Sequence, residues 1–577
     1  MSNSSLLAVK TLNQYRKRDV MSYMGLRYYL KNSSGRKCRW IKDVATRLSS
    51  TQCAPSYLKT FHFKELSEDG SISHRDIYLP APNEALSETA LLVELSQHAV
   101  FQPKPYVYSY RFTKESDKSG VFNPYFLGYK ERQADIANAC WSIEDGMVLI
   151  TDIKKFYPNI KTELARETWQ KYCQKSGIES KFEILGNTLL KKQQDTSIDD
   201  DIGSGLLTGP AFSHVIANLL LDSLDEKMHK LTNGKYFRYV DDIAFVGTPQ
   251  ECKKWREILV DDLAEFDLEL HVGDKDFEVS CAEWLEGEKD FESSIGNGWI
   301  TFIADVKRYL IAKPHRQKLL SEEFSKFNIR LPVLDYSNVA NESSNLEKFQ
   351  DWLYKYKWSL KAVKKIDIDH LLKQAQLCQT SLLTQLNKLL EHSHDLTHYQ
   401  RKRLIPKLRY VSGRLLIFAD NELLVETANR LENYPELHLI TATMRAISSK
   451  DITEIISMGV NATQAVAQLL ITQKEDVTFD IDKLGSLDKD LVQQCLAILT
   501  LNEVNFPFYD IHSEIRLLAE GPVDVELMNS KDHFIKEMAS LHGLGKSINA
   551  EILTTAFDRD EDLALDIINL IQQSSHA

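Results

Sequence analysis

Hydrophobic and polar positions follow two regimes along the chain. Up to residue 340 short apolar runs alternate with helix-spaced segments, and beyond it helix spacing dominates. Met147-Val-Leu-Ile150 is a continuous apolar run that reads as a buried strand, with Asp152 at its end. Residues 236–246 form a second apolar and aromatic run, broken by Asp241-Asp242, which reads as a tight hairpin turn. Residues 86–99, 215–224 and 252–266 carry apolar side chains at helical spacing. Residues 106–112 alternate like a strand, and 128–132 and 268–277 read as short strand-like pieces. Residues 299–303 with 306–312 suggest a further hairpin. Past residue 340 one stripe runs through Leu382, Leu383, Leu386, Leu389 and Leu390. Asp451 with Glu454 and Asn461 with Gln464 read as capping boxes, and Pro435 and Gly459 as breaks. The spacing predicts roughly ten to twelve helices of about 10–20 residues, stackable as an irregular solenoid. Residues 477–481 are the one strand-like interruption.

Composition narrows the class. A chain of 577 residues holds several domains at about 100–200 residues each. With 43% hydrophobic and 26% charged residues it reads as soluble and globular. No run of ~18 apolar residues and no secretory h-region occurs, so a cytoplasmic protein without a membrane partner is expected. Eight cysteines without a C-x-x-C pair read as reduced packing residues. The net charge of −12 argues against a protein that coats nucleic acid. Residues 1–50 differ, with eleven Lys or Arg against Asp19 and Asp43 and with Tyr15, Tyr23, Tyr28, Tyr29 and Trp40 interleaved. That mixture suits phosphate contacts and base stacking, or equally a solvated helical surface whose tyrosines face inward.

The chemistry concentrates around Asp241 and Asp242. Burying a carboxylate without a partner costs several kcal/mol, so two of them in an apolar run point to metal ions as their counter-charge. A polar hairpin turn is the plain alternative, and Asp152 upstream argues against it. Between the acids, the Gly203–Ser213 loop runs into a helix; its three glycines, Gly203, Gly205 and Gly209, permit close backbone approach to a ligand, and Ser213 lies near the helix start. Asp199 to Asp201 read as a solvated loop. Arg111, Lys130 and Arg132 are cations placed before the acids, suited to phosphate oxygens. Lys275 ends the piece after the hairpin. Arg401, Lys402, Arg403, Lys407, Arg409 and Arg414 form a later basic group that faces either nucleic acid or water.

In order, these pieces resemble the reverse transcriptase family. Asp152 with Phe156-Tyr157 is similar to its first catalytic motif, and Gly205-Leu-Leu-Thr-Gly209 through Ser213 and Asn218 to the second. Tyr239-Val-Asp-Asp242 is similar to the third, and residues 268–275 to the fourth. The match spans residues 55–310. It departs at Leu207-Thr208, where the family commonly has Pro-Gln, which bears on template handling more than on chemistry.

The resemblance implies an α+β fold: reverse transcriptase fingers and palm, with an antiparallel palm sheet flanked by helices, followed by an all-α helical-repeat domain. The implied divisions are a basic helical extension over 1–55, fingers and palm over 56–335, and helical repeats over 336–577 in place of a compact thumb. It implies two Mg²⁺ ions, with Mn²⁺ as a possible substitute, roughly 3.5–4 Å apart. Asp152, Asp241, Asp242 and the Ile153 carbonyl would hold them. Tyr157, next to Phe156, would sit under the sugar and exclude a 2′-hydroxyl. Lys275 would approach the pyrophosphate as an acid, and Arg111, Lys130, Gly209 and Ser213 would complete the substrate site. The helical region resembles bacterial abortive-infection and other defence-associated reverse transcriptases. That implies antiphage defence by an RNA-directed or untemplated DNA polymerase using dNTPs, an RNA template or non-coding RNA, and a nucleic-acid or protein primer, with a DNA product. It also implies a homo-oligomer or a companion defence protein. No integrase, RNase H or maturase segment is visible. The alternatives are a retron-like enzyme copying one structured RNA, and a non-synthesising RNA-binding scaffold.

Overall fold

The computed structural model describes residues 57–333 and 366–507, less 68, 81, 115–119, 201–204, 274, 290–296, 332, 392–395, 471–475 and 502–503, together with Lys10, Thr11 and Gln14. Apart from those three, the basic aromatic stretch lies outside the described residues, as do the helices expected over 340–365 and after 507. The chain divides into two compact units, one of residues 1–15, 29–59 and 77–293, the other of 16–28, 60–76 and 294–577.

Two strands, β1 (Tyr57–Leu66) and β2 (Ile72–Pro80), pair with each other, and helix α1 (Pro82–Leu95) follows. Next come α2 (Tyr125–Trp141), β3 (Met147–Asp152), the short α3 (Phe156–Asn159), α4 (Thr162–Ser176), α5 (Ser180–Asp199) and α6 (Ala211–Leu231). Then come β4 (Tyr236–Tyr239), β5 (Asp242–Gly247), α7 (Pro249–Ala264), β6 (Phe277–Ser280) and α8 (Cys281–Lys289), all in the first unit, whereas residues 60–76 of the β1–β2 pair belong to the second. The last four strands form one antiparallel sheet in the order β4-β5-β3-β6. Val148 and Leu149 are both buried on the central β3, so both faces of that strand are covered, which is why it reads as an unbroken apolar run. Helix α6 is buried nearly all round, through Phe212, Val215, Ile216, Leu220 and Leu224. Helix α7 begins at a full capping box, Thr248 with Glu251, and lays Trp255 against Phe245 of β5.

Several expectations change. Residues 128–132 lie in α2 rather than in a strand, because Gly128, Arg132, Ile136 and Cys140 share one buried stripe at four-residue spacing. Residues 106–112 run along the edge of β4 without forming a strand; the Tyr108 N–H donates to the Arg238 carbonyl at 2.9 Å, and Val107 makes a single bridge. Before β6, residues 268–273 are irregular apart from a bridge between Leu270 and Ile153.

The second unit contains helices α9 (Asn297–Ala312), α10 (Gln317–Lys326), α11 (Ile368–Glu391), α12 (His398–Phe418), α13 (Asn421–Arg430) and α14 (His438–Ser449). They are followed by α15 (Thr453–Met458), α16 (Val460–Leu470), α17 (Ile481–Leu484) and α18 (Lys489–Leu501). Helix α9 replaces the hairpin expected over 299–312. Its core residues Trp299, Phe302, Ile303, Val306, Tyr309 and Leu310 follow the i, i+3, i+4, i+7 rule, which outweighs their strand-forming chemistry. Helix α11 buries Leu371, Ala375, Cys378, Leu382 and Leu386, leaving Leu383, Leu389 and Leu390 half-buried. Neither capping box expected in this region forms: Asp451 accepts from Thr453 ahead of α15, and Asn461 lies inside α16, its amide 2.8 Å from His62 Nδ1. Residues 477–481 contribute one bridge, Thr478 to Asp451.

The basic group on α12 is split, with Lys402 exposed and Arg401, Arg403 and Lys407 half-buried. Arg409 and Arg414 are buried, with Arg414 stacked over Tyr410 and beside Trp299, and Arg401 pairs with Glu436. No helix among the described residues is long and apolar enough to cross a membrane.

Gly459 closes α15 at φ +99°, and an added Cβ would fall 2.2 Å from the Phe61 carbonyl oxygen. Gly459→Ala should therefore destabilise the helical unit by about 1–3 kcal/mol, read as a lower urea midpoint of its unfolding transition; an unchanged midpoint would contradict this account.

Candidate active site

The antiparallel ladder brings the three acids together. Asp152 stands opposite Asp242, and the Ile153 N–H donates to the Asp241 carbonyl at 3.0 Å. Tyr239 pairs with Asp242 at the base of the β4–β5 turn, leaving Val240 and Asp241 as its tip. Val240 has φ +58°, a conformation that a β-branched residue adopts only when its surroundings force it. The surroundings are explicit. Val240 N–H donates to Ser109 Oγ at 2.9 Å, and its carbonyl accepts from Arg238 at 2.8 Å. The fully buried Arg238 also donates to both carboxylate oxygens of Asp225 on α6, at 2.7 and 2.6 Å, and to Asn218 at 3.2 Å. Tyr236 completes this network, its hydroxyl donating to Asp225 at 2.7 Å.

The three acids differ in their counter-charges. Lys275 Nζ donates to Asp152 Oδ2 at 3.0 Å, and His271 Nε2 lies 3.6 Å from the same oxygen. Arg132 holds Asp242 as a fork, donating to Oδ2 at 3.2 Å and to Oδ1 at 2.9 Å. Asp241 has no cation hydrogen-bonded to it among the described residues, and burial, reinforced by the neighbouring Asp152 charge, pushes its carboxyl up to about 7. Among the described residues no group of three or more His, Cys, Asp and Glu side chains forms a ready metal cage. The donor chemistry nevertheless fits a hard divalent cation, because Mg²⁺ is commonly held by one or two carboxylates with waters and substrate phosphates. Asp152 and Asp241 are such a pair, and a cation beside them would relieve the repulsion that raises Asp241.

Of the other expected site residues, Lys275 reaches the acids, while Ile153 contributes its backbone between them. Phe156 and Tyr157 are buried against each other, and the Tyr157 hydroxyl shares a 2.6 Å hydrogen bond with His214 Nδ1, so only its ring remains to present to a ligand. His214 in turn stacks on Tyr110 at 3.8 Å. Lys130 is exposed on α2. Three further expected residues make their contacts within the chain. Arg111 is bound to Glu131 and to the Val107 and Pro105 carbonyls, which leaves its fork occupied. Gly209, at φ +123°, admits the chain's own β2, since a Cβ there would lie 2.4 Å from the Tyr78 carbonyl oxygen. Ser213 is fully buried and donates to Gln193, behind the loop surface. The Arg238–Asp225 pair, Ser109 and His214, which hold the turn and Tyr157 in place, are positions that sequence reasoning missed. Arg238 carried a readable signal as a third charge inside an apolar strand run, but its partner could not be read.

The chain matches no protein-family model and no curated protein. Among solved structures it is similar to telomerase from Candida albicans in complex with a TWJ fragment of telomeric RNA, at 11% identity and a TM-score of 0.28, over 65% of this chain and 67% of that one. It is similar also to apo telomerase from Candida tropicalis, at 11% identity and a TM-score of 0.28, over 69% of this chain and 72% of that one. Scores at this level mark a distant likeness only.

Two outcomes follow from the charges. With Asp241 raised to about 7 in the folded chain from 3.8, the native state binds more protons than the unfolded one between those pH values, so stability falls as pH rises through that window. Urea midpoints of metal-free protein at pH 5 and pH 8 should differ in that direction, and Asp241→Asn should lack that component; identical pH dependence in both proteins would refute the shift. Asp225→Asn strips the buried Arg238 of its anion and should cost about 3–5 kcal/mol in the same assay.

Proposed function

We propose that the chain is a nucleotidyltransferase of the reverse transcriptase type that joins dNTPs in a divalent-cation-dependent reaction. The observation that carries this reading is the meeting of Asp152 with the distant Asp241-Asp242 turn at one end of the sheet, where Asp152 pairs with Asp242 and the Ile153 N–H donates to the Asp241 carbonyl. The motif resemblance supplies the reaction class. In this reading Asp152 and Asp241 hold Mg²⁺, or Mn²⁺ in its place, with the Ile153 backbone between them. Bound there, the cation lowers the pKa of the attacking hydroxyl and offsets the charge on the triphosphate.

The chain's own groups set the geometry. The acids fix where the primer hydroxyl meets the α-phosphorus; a bond forms from that oxygen as the bond to pyrophosphate breaks, and the hydroxyl proton passes to water. Lys275, half-exposed beside Asp152, is the cation within reach of the departing pyrophosphate and can protonate it. Lys130 is the outward cation for the triphosphate. The Tyr157 ring, immobilised by His214, is the surface against which a sugar would be tested. The primer, an RNA template or non-coding RNA, the DNA product, a homo-oligomer or companion protein, and antiphage defence enter this proposal through the resemblance alone.

Asp152→Ala and Asp241→Ala should each lower incorporation of labelled dNTPs by the full-length protein with Mg²⁺ by roughly a thousandfold, about 4 kcal/mol, with an unchanged circular dichroism spectrum. Full activity in either variant overturns the assignment.

A further inference from the structure

We propose that Asp242 is the anion for Arg132 rather than a metal ligand, and that Arg132 is a positioning residue for the hairpin; this rests on the reading of Asp152 and Asp241 as the metal-holding pair. The Arg132 side chain is 1% exposed, against 38% for Asp242. Its guanidinium makes four contacts across the hairpin: Nη1 to Asp242 Oδ2, Nη2 to Asp242 Oδ1, Nη2 to the Asp242 carbonyl at 3.4 Å, and Nε to the Phe237 carbonyl at 3.3 Å. One rigid fork thus ties β4 to β5 just below the turn. The anchor does not move readily, because Arg132 belongs to the buried stripe of α2 together with Gly128, Ile136 and Cys140.

The electrostatics point the same way. A guanidinium stays charged at every working pH and satisfies carboxylate oxygens two at a time. A dication on Asp242 would have to share those oxygens with a buried positive charge a few ångströms away. Asp241 meets no such cation and lies beside Asp152, so adjacent acids in the sequence have separate tasks. The turn is then gripped from two sides: Arg238 holds the Val240 carbonyl, and Arg132 holds the first residue of β5. Asp242 stands opposite Asp152 in the ladder, but its oxygens are taken by Arg132, so the carboxylate beside Asp152 without a guanidinium on it is Asp241.

The test combines binding of Mn²⁺ alone, followed by electron paramagnetic resonance, with thermal unfolding and dNTP incorporation of the full chain. Asp242→Asn, which keeps the shape, should bind Mn²⁺ within about threefold of the unmodified protein, whereas Asp241→Asn should lose that binding. Asp242→Asn and Arg132→Leu should both lower kcat, roughly tenfold to a hundredfold, with little change in KM for the dNTP, as expected of a displaced turn. Arg132→Leu combined with Asp242→Leu should unfold at a higher temperature than either single substitution, because no unpaired charge is left behind. Loss of Mn²⁺ binding in Asp242→Asn equal to that in Asp241→Asn, or a double variant no more stable than the singles, overturns the assignment of Asp242 while leaving the metal-holding pair intact. Unchanged Mn²⁺ binding and incorporation in Asp241→Asn would instead sink the underlying reading.

Discussion

Three carboxylates gathered at the end of a covered sheet create the constraint on which the site depends, because each must find a counter-charge in surroundings that penalise an ion. The chain resolves this differently for each. Asp152 has a half-exposed lysine, a partner on a long flexible stem; Asp242 has a buried arginine fork, a partner that stays. Asp241 has no cation bonded to it among the described residues, and burial, with the Asp152 charge beside it, pushes its carboxyl up. That inequality makes the site chemically directional. Mutual repulsion is concentrated where a hard cation would relieve it, and the permanent cation sits on the far side of the turn.

Holding this arrangement asks for rigidity rather than stability. Desolvating Arg238 and Asp225 costs several kcal/mol per ion, and their attraction, with the Tyr236 and Asn218 hydrogen bonds, roughly offsets that cost. What the pair adds is geometry. It fixes a carbonyl in a turn whose first residue, Val240, sits at a φ that a valine disfavours. Such strain persists only where the surroundings over-determine it, and here a helix, the loop serine Ser109 and a buried guanidinium all converge. The aromatic stack of Tyr110, His214 and Tyr157 plays the same part on the neighbouring loop.

Many cations that charge counting would offer to nucleic acid serve the fold instead. Lys10, one of the basic N-terminal residues, is buried, its ammonium donating to Thr113 Oγ1 and to the Lys114 and Gly120 carbonyls. Arg111 clamps loop carbonyls, and in the helical unit Arg409 and Arg414 lie inside. Outward positive charge beside the acids comes from single lysines, Lys275 on Asp152 and the exposed Lys154 and Lys155 just after it. In a chain of net charge −12, a phosphate-bearing ligand would meet a few placed cations rather than a broad basic surface.

Periodicity alone fixed the local elements wherever one period was strong. The strand ending at Asp152, the Asp-Asp hairpin and the helices after residues 211 and 249 were legible because apolar spacing and turn chemistry are local properties. Residues 299–312 and 128–132 misread for a physical reason: β-branched and aromatic side chains favour strands, yet the side that must be buried recurs every three to four residues. Residue identity also marked the acids and Lys275. It could not decide which charge answers which, since Arg132 to Asp242 and Arg238 to Asp225 are choices made by packing helices against strands. Charge pairing depends on distance in space and on water excluded by neighbours, and neither exists until the tertiary structure has formed.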